Sequence, residues 1–181
     1  MKGAFIDRDG VIIKERGYVY RIEDFAPLPS AIAALRDLQA AGYALVVITN
    51  QSGIARGLYS ESDYLIFSAH MEARLRADGV RLDAVEYCPH LPDAVVARYR
   101  LDCDCRKPRP AMLQRAASRL GIDLGSSVVV GDRRTDIEAG RAARVGRCFL
   151  VRSGQTLATQ DEPLADGVYE DLAACVRGLL A

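Results

Sequence analysis

Phe5-Ile6-Asp7-Arg8-Asp9-Gly10-Val11 places two carboxylates, one residue apart, directly after a short apolar run. If residues 3–6 form a buried strand, Asp7 and Asp9 lie past its carboxyl end, where open α/β sheets bind their ligands. A carboxylate pair at such a place can hold a divalent cation while one member attacks phosphorus. An Asp-Gly turn is the simpler alternative. A calcium loop of the EF-hand kind is disfavoured, because its glycine and its distal glutamate are absent from their places.

Strand and helix signals alternate along the rest of the chain, which is typical of a parallel, doubly wound sheet. The further predicted strands are residues 45–48, 85–87, 127–130 and 148–151, and the predicted helices are 31–41, 60–77, 110–120, 136–143 and 171–180. Internal repeats, low-complexity tracts and linkers are absent. We therefore expect an α/β, Rossmann-like fold with helices on both faces of the sheet, as a single domain over residues 1–181.

Composition excludes several classes of function. Lys plus Arg number 24 and Asp plus Glu number 24, so no net field attracts the protein to nucleic acid or to an anionic membrane. The apolar runs are too short to span a bilayer, and the first residues show no signal-peptide pattern. We expect a cytoplasmic monomer that acts on a small molecule, with no nucleic-acid or membrane partner.

Three further polar clusters follow the pattern of the first. Thr49-Asn50-Gln51-Ser52-Gly53 ends the second predicted strand, where a hydroxyl and loop amides can grip phosphate oxygens. Lys107 follows a cysteine-rich loop and can neutralise a phosphate, although most lysines are simply solvated. Asp132 follows the fourth strand and can complete a magnesium site with oxygen ligands. Asp136 is either a helix cap or a partner of the metal ligands.

Three of the five cysteines and one of the two histidines cluster within eighteen residues, as Cys88, His90, Cys103 and Cys105. Three thiolates and one imidazole complete a tetrahedral zinc site and leave no open position, so we expect a structural zinc ion that staples the loop. Unrelated reduced cysteines beside a surface histidine are the alternative. Cys148 and Cys175 lie in apolar contexts and are expected to be buried thiols.

Taken together, the order Asp-x-Asp, Thr, Lys, Gly-Asp-x-x-x-Asp resembles the phosphatase branch of the haloacid dehalogenase-like superfamily over nearly the whole chain. The resemblance implies that Asp7 is the nucleophile that forms an aspartyl-phosphate, and that Asp9 is the general acid and then the general base. The segment between Asp9 and the first helix is too short for a large cap domain.

The same resemblance implies the ligands of the metal and of the transferring phosphoryl group. Mg²⁺ would be held by the carboxylates of Asp7 and Asp132 and by the main-chain carbonyl of Asp9. Thr49, the Asn50 amide and Lys107 would offset charge on the phosphoryl group.

Within the superfamily, the run from Asn50 to Gly57 and the insert between His90 and Cys103 are similar to the D-glycero-D-manno-heptose 1,7-bisphosphate 7-phosphatase family. That resemblance implies hydrolysis of the C7 phosphate in ADP- or GDP-heptose biosynthesis for lipopolysaccharide or another glycan. The implied substrate-binding residues are Glu15, Arg16, Gly17, Tyr18, Thr49, Asn50, Gln51, Ser52, Arg106 and Lys107, with Arg106 on the second phosphate. A histidinol-phosphate phosphatase and a non-enzymatic, zinc-stabilised phosphate-binding module are the alternatives.

Two positions depart from the family's pattern. Arg133 stands where relatives often carry lysine, and Val11 stands where many carry threonine. Neither change affects the expected catalytic residues. The role of Arg133, the preferred anomer and the nucleotide of the pathway stay open.

Overall fold

The computed structural model describes all 181 residues and contains one six-stranded sheet in which every neighbouring pair of strands is parallel. The strands are β1 (Lys2–Ile6), β2 (Tyr43–Asn50), β3 (Ala84–Cys88), β4 (Val128–Gly131), β5 (Arg147–Val151) and β6 (Gly167–Tyr169). They lie in the order β3-β2-β1-β4-β5-β6. The predicted doubly wound fold is therefore confirmed, and the order reverses at β1, where such sheets bind ligands.

Six α-helices connect or flank these strands. They are α1 (Ala31–Ala40), α2 (Ser52–Ala55), α3 (Glu61–Ala77), α4 (Ala111–Leu120), α5 (Arg134–Ala142) and α6 (Leu172–Leu180), and short 3-10 helices occur at Ile22–Asp24, Ala97–Tyr99, Leu124–Ser126 and Thr159–Leu164. None of the helices combines the length and the apolar character needed to cross a membrane.

The two faces of the sheet build two separate cores, because successive side chains of a strand point in opposite directions. Ala4 and Ile6 of β1 pack into a cluster with buried residues of α1, α3 and α6. Phe5, between them, packs into a second cluster with buried residues of α4 and α5. Helices thus cover both faces of the sheet, as expected. Because both faces are covered, the strands can carry apolar side chains on either face where they are buried.

The observed elements differ from the predicted ones mainly at their ends. Strand β2 runs two residues past the predicted apolar core in each direction, so Thr49 and Asn50 belong to the strand itself. Helix α5 begins at Arg134, two residues before the predicted start, and Asp136 lies in its first turn. Strand β6 and the single turn of α2 were not predicted, because three or four residues are too few to show a period.

The carboxyl edge of the sheet is left open, because residues 7–30 between β1 and α1 contain only one three-residue 3-10 helix. No large cap domain is present there, in agreement with the sequence. Side chains from several strand ends can therefore meet a ligand directly from solvent.

Candidate active site

Asp7 and Asp132 follow the adjacent strands β1 and β4 and lie close together at the carboxyl edge. The Asp7 amide donates to the carbonyl of Val130 at 3.0 Å, which continues the β1–β4 pairing into the loop. Asp132 is fully buried, and its Oδ2 accepts from the Gln155 amide at 2.9 Å. Gly10 has a φ of +82°, and a Cβ at this position would meet Oδ2 of Asp132 at 2.5 Å. Glycine is therefore required for the loop after β1 to approach Asp132.

Lys107 brings a buried ammonium group to the same point. Its Nζ lies 2.8 Å from Oδ1 of Asp7, 2.6 Å from Oδ1 of Asp136 and 2.9 Å from the carbonyl oxygen of Ile48. Burial lowers the pKa of Lys107, but the carboxylates of Asp136 and Asp7 more than offset this and raise it. The amide of Asn50 exchanges two hydrogen bonds with the Lys107 backbone, both 3.1 Å, which ties this loop to the end of β2.

Asp136 makes two kinds of contact, one with each carboxylate oxygen. Its Oδ2 accepts from the Arg133 amide at 3.0 Å in the first turn of α5, which is a capping contact. Its Oδ1 pairs with Lys107, which in turn contacts Asp7. The start of α5 and the loop after β1 are therefore linked by a buried chain of ion pairs through Lys107.

Asp9 and Thr49 are joined by Gln51. The Gln51 side-chain Nε2 donates to Oδ2 of Asp9 at 3.1 Å and to Oγ1 of Thr49 at 2.8 Å. Burial raises the pKa of Asp9, and the neighbouring Arg8 opposes this effect. Thr49 is 1% exposed, so packed protein atoms surround its hydroxyl group.

The carboxylates of Asp7, Asp132 and Asp136 form a cluster whose oxygen ligands lie within 4.8 Å of one another. Oδ1 of Asp132 is buried and has no hydrogen-bond partner. Burial and the charges of Asp7 and Asp136 raise the pKa of Asp132 to about 8. Buried, oxygen-only ligands with an unsatisfied acceptor fit a hard divalent cation such as Mg²⁺, whose charge would offset the repulsion among them.

Asp7, Asp9, Thr49 and Lys107 line a cavity of about 510 Å³. The structure brings to its lining the predicted residues Asp7, Asp9, Glu15, Gly17, Tyr18, Thr49, Asn50, Gln51, Ser52, Arg106 and Lys107. Arg16 does not line it and is exposed, because the chain turns at Gly17, whose amide donates to the Glu15 carboxylate at 2.7 Å. Asp132 lies beneath the lining, fully buried.

Several lining residues were not among the predicted ones: Tyr59, Arg133, Arg134, Thr135 and Gln155. Arg133 was noted in the sequence without a role, and its Nη2 lies 3.3 Å from Oε2 of Glu15 across the cavity. Arg134 and Thr135 lie in the Gly131–Asp136 motif, so this motif could have identified them as site residues. Gln155 lies in the loop after β5, which carries no motif.

Cys88, His90, Cys103 and Cys105 converge beside the cavity. The three sulfur atoms lie 3.1–3.4 Å apart, and Nδ1 of His90 lies 3.5 Å from Cys105 Sγ and 3.8 Å from Cys88 Sγ. Ligands of a tetrahedral zinc ion are separated by roughly 3.7 Å, so this donor set fits zinc with little adjustment. Cys148 and Cys175 are fully buried in the two cores, as expected.

The chain is similar to known proteins over nearly its full length. A family model described as HAD-hydrolase-like matches residues 104–175. The D-glycero-beta-D-manno-heptose-1,7-bisphosphate 7-phosphatase of Photorhabdus laumondii is 44% identical over 170 residues, which cover 94% of this chain and 90% of that protein. The corresponding alpha-anomer phosphatase of the same organism is 45% identical and covers 85% and 84% of the two chains.

A solved structure shows the same architecture. The D,D-heptose 1,7-bisphosphate phosphatase from B. bronchiseptica, complexed with magnesium and phosphate, is 32% identical to this chain. The superposition has a TM-score of 0.82 and covers 99% of this chain and 98% of that one.

Proposed function

The chain belongs to the D-glycero-D-manno-heptose-1,7-bisphosphate 7-phosphatase family of the HAD-like hydrolases, and we propose from its site which residues hydrolyse the C7 phosphate. It is a phosphoric monoester hydrolase. The proposed mechanism rests on the position of Lys107, whose Nζ lies 2.8 Å from Oδ1 of Asp7. Lys107 also contacts Asp136, so it joins the nucleophile to the buried carboxylates.

Asp7 acts first, as the nucleophile. Its carboxylate lies at the floor of the cavity with one oxygen held by Lys107, so the other can attack the phosphorus of a bound phosphoryl group. Magnesium, held by the carboxylates of Asp7 and Asp132 and the carbonyl of Asp9, would supply positive charge beside that group. Lys107, the Thr49 hydroxyl and the Asn50 amide bind the phosphoryl oxygens and offset their charge.

Asp9 handles the protons of both steps. In the first step its carboxyl group gives a proton to the sugar oxygen as the bond from phosphorus to that oxygen breaks. In the second step its carboxylate takes a proton from water, whose oxygen bonds to phosphorus as the aspartyl-phosphate bond breaks. Asp7 is then restored as a carboxylate and inorganic phosphate leaves.

The rim of the cavity recognises the rest of the sugar bisphosphate. Arg106 lies at the rim, and its planar guanidinium suits the second phosphate. Glu15, Gly17 and Tyr18 on one side and Gln51 with Ser52 on the other surround the sugar. Relatives of comparable similarity are named for the two anomers, so anomer preference depends on these rim residues.

We further propose a cytoplasmic monomer whose residues 1–181 form one catalytic domain with a structural zinc ion. One continuous sheet and the convergent Cys88, His90, Cys103 and Cys105 support this arrangement. Its product serves ADP- or GDP-heptose formation for lipopolysaccharide or another glycan.

The decisive experiment measures phosphate release by the purified protein with Mg²⁺ on both anomers of heptose 1,7-bisphosphate, on histidinol phosphate and on fructose 1,6-bisphosphate. We expect kcat/KM for a heptose bisphosphate to exceed the others by at least about 100-fold, which is about 2.7 kcal/mol of transition-state binding. A preference for histidinol phosphate would overturn the substrate assignment.

The variant Asp7→Asn tests the nucleophile separately. We expect it to abolish phosphate release while zinc content and unfolding temperature stay close to those of the unsubstituted protein, since an amide cannot form the aspartyl-phosphate. Residual turnover above about 1% would contradict the role of Asp7. A wild-type protein that binds heptose bisphosphate tightly without turnover would support a phosphate-binding module instead.

A further inference from the structure

Arg8 lies between the two aspartates of the first loop, and the mechanism above assigns it no task. Its side chain is 1% exposed, although its guanidinium carries a positive charge at every pH at which proteins fold. A buried charge is tolerated only where an opposite charge balances it. Its partner therefore indicates what Arg8 does.

Asp9 is that partner. Nη2 of Arg8 donates to both carboxylate oxygens of Asp9, at 2.8 and 2.9 Å, and Nε donates to Oδ2 at 3.1 Å. Asp9 is the sole carboxylate within 4.0 Å of the Arg8 guanidinium. Because the guanidinium is planar and contacts both oxygens, it fixes the direction of the Asp9 carboxylate as well as its distance.

The guanidinium of Arg8 is itself held in place. It lies against the rings of Phe67 and Tyr64 on α3, 4.9 and 5.8 Å from their centroids. Its Nη2 also donates to the carbonyl of Val19 at 2.8 Å. A side chain packed in this way cannot follow a moving carboxylate, so Asp9 cannot rotate without breaking the ion pair.

Gln51, which follows strand β2, holds Asp9 through its side-chain nitrogen while its side-chain oxygen is fixed by another contact. Nε2 of Gln51 donates to Asp9, and its Oε1 accepts from the Tyr59 hydroxyl at 2.7 Å. The Asp9 side chain nevertheless remains 16% exposed and lines the cavity. These contacts orient the carboxylate without covering it.

We propose that Arg8 is a positioning residue, which holds the Asp9 carboxyl group within reach of the leaving sugar oxygen in the first step and of the attacking water in the second. This inference rests on the proposed function, because it assigns to Asp9 the proton transfers described above. Arg8 forms no bond to the substrate and acts through Asp9 alone.

The first test compares two variants. Arg8→Met removes both the charge and the planar guanidinium that contacts the two Asp9 oxygens. Arg8→Lys keeps the charge but removes the planar guanidinium. We expect single-turnover hydrolysis of the heptose bisphosphate to fall about 100-fold in both variants, with KM within about threefold. Arg141→Met is the matched control. Arg141 pairs with Asp166 at 2.8 Å and donates to the Leu164 carbonyl, but it lies outside the cavity. This control should turn over as the wild type does.

The second test uses p-nitrophenyl phosphate, because nitrophenolate leaves without needing a proton. If Arg8 acts through Asp9, the Arg8 variants should release the first nitrophenolate within about threefold of the wild-type rate and then slow, which gives a burst of about one nitrophenolate per active site. Asp9→Asn should show the same pattern. The ratio of first-turnover rates on the two substrates does not depend on the folded fraction, so partial unfolding leaves the test valid.

Three results would overturn the inference. The first is a similar loss on both substrates without a burst, which indicates that Arg8 only maintains the fold. The second is an unchanged single-turnover rate on the heptose bisphosphate. The third is full activity of Arg8→Lys, because the contact of a planar guanidinium with both Asp9 oxygens would then be dispensable. A wild-type protein without activity on heptose bisphosphate would count against the proposed function, whereas a defect confined to the Arg8 variants on an active background concerns Arg8 alone.

Discussion

At the scale of single residues, the ammonium group of Lys107 contacts acceptors from three separate parts of the chain: Asp7, Asp136 and the Ile48 carbonyl. Only 4% of the residue is exposed, so solvent does little to screen these contacts. Its one positive charge faces a cluster of carboxylates that also includes Asp132. The balance of charge in the site therefore depends on this lysine and on any bound cation.

Replacing Lys107 by methionine should impair both activity and stability. Loss of a phosphate-binding cation should lower kcat by about 10²–10³-fold. Leaving its buried carboxylate partners unpaired should lower the free energy of unfolding by about 3–5 kcal/mol. Added Mg²⁺ should restore part of this stability, because the ion neutralises the same carboxylates. Urea unfolding with and without Mg²⁺ measures the second effect, and phosphate release measures the first.

Lys14 provides the control, since its side chain is exposed and contacts none of these groups. Lys14→Met should change neither kcat nor stability beyond about 0.5 kcal/mol. If Lys107→Met unfolds at the wild-type urea concentration, the ion pairs of Lys107 contribute far less than about 3–5 kcal/mol to the free energy of unfolding.

At the scale of elements, the sequence predicted most of what places the site. A run of β-branched and apolar residues followed by polar ones was enough to position Asp7, Thr49 and Asp132 at strand ends, because parallel strands share one carboxyl edge. The pairing of Arg8 with Asp9 was not predicted, because the packing of α3 against the first loop decides it. The approach of Gln155 likewise depends on the irregular loop after β5, which has no period to detect.

Helix α5 packs closely against the sheet at Gly140. A Cβ added there would meet Sγ of Cys148 at 2.6 Å and Cγ2 of Val129 at 2.9 Å. Both neighbours are fully buried, so neither has free space to move into. The small residue lets the helix lie close enough to the strands for its first turn to present Asp136 to Lys107.

Gly140→Ala should therefore destabilise the protein by about 1–3 kcal/mol, the usual cost of overpacking, even though alanine favours a helix. Adding Cys148→Ala should recover part of the loss, because the sulfur is the nearest obstacle. Chemical denaturation of the two single variants and the double variant gives the coupling between the sites. Strict additivity of the two single effects would contradict the close contact.

At the scale of the whole molecule, the segment that holds the Cys88, His90, Cys103 and Cys105 cluster continues directly into the cavity. Cys105 is followed at once by Arg106 at the cavity rim and by Lys107 at its floor. This segment runs from the end of β3 to the start of α4, and twelve residues separate His90 from Cys103. A metal ion that fixes Cys105 would therefore fix the two cationic residues next to it.

Removing zinc with a chelator should lower both stability and activity. We expect the unfolding temperature to fall by about 10 °C, since 1 kcal/mol corresponds to roughly 2–4 °C for a chain of this size. We also expect phosphate release to fall with it and to return on adding Zn²⁺ but not on adding further Mg²⁺. Elemental analysis should find about one zinc per chain before treatment. A fully active, zinc-free protein would contradict the structural role of the ion.

The position of β1 in the middle of the sheet has a consequence for synthesis on the ribosome. Its partner β2 follows within 37 to 44 residues of β1, but its other partner, β4, begins only at Val128. At about 5–20 residues per second, one edge of β1 waits roughly 6–25 seconds for β4 to be made. During that interval the nascent chain has an unpaired, apolar strand edge, which is a template for wrong pairing. Cells that make this enzyme quickly should therefore depend on chaperones that bind nascent chains.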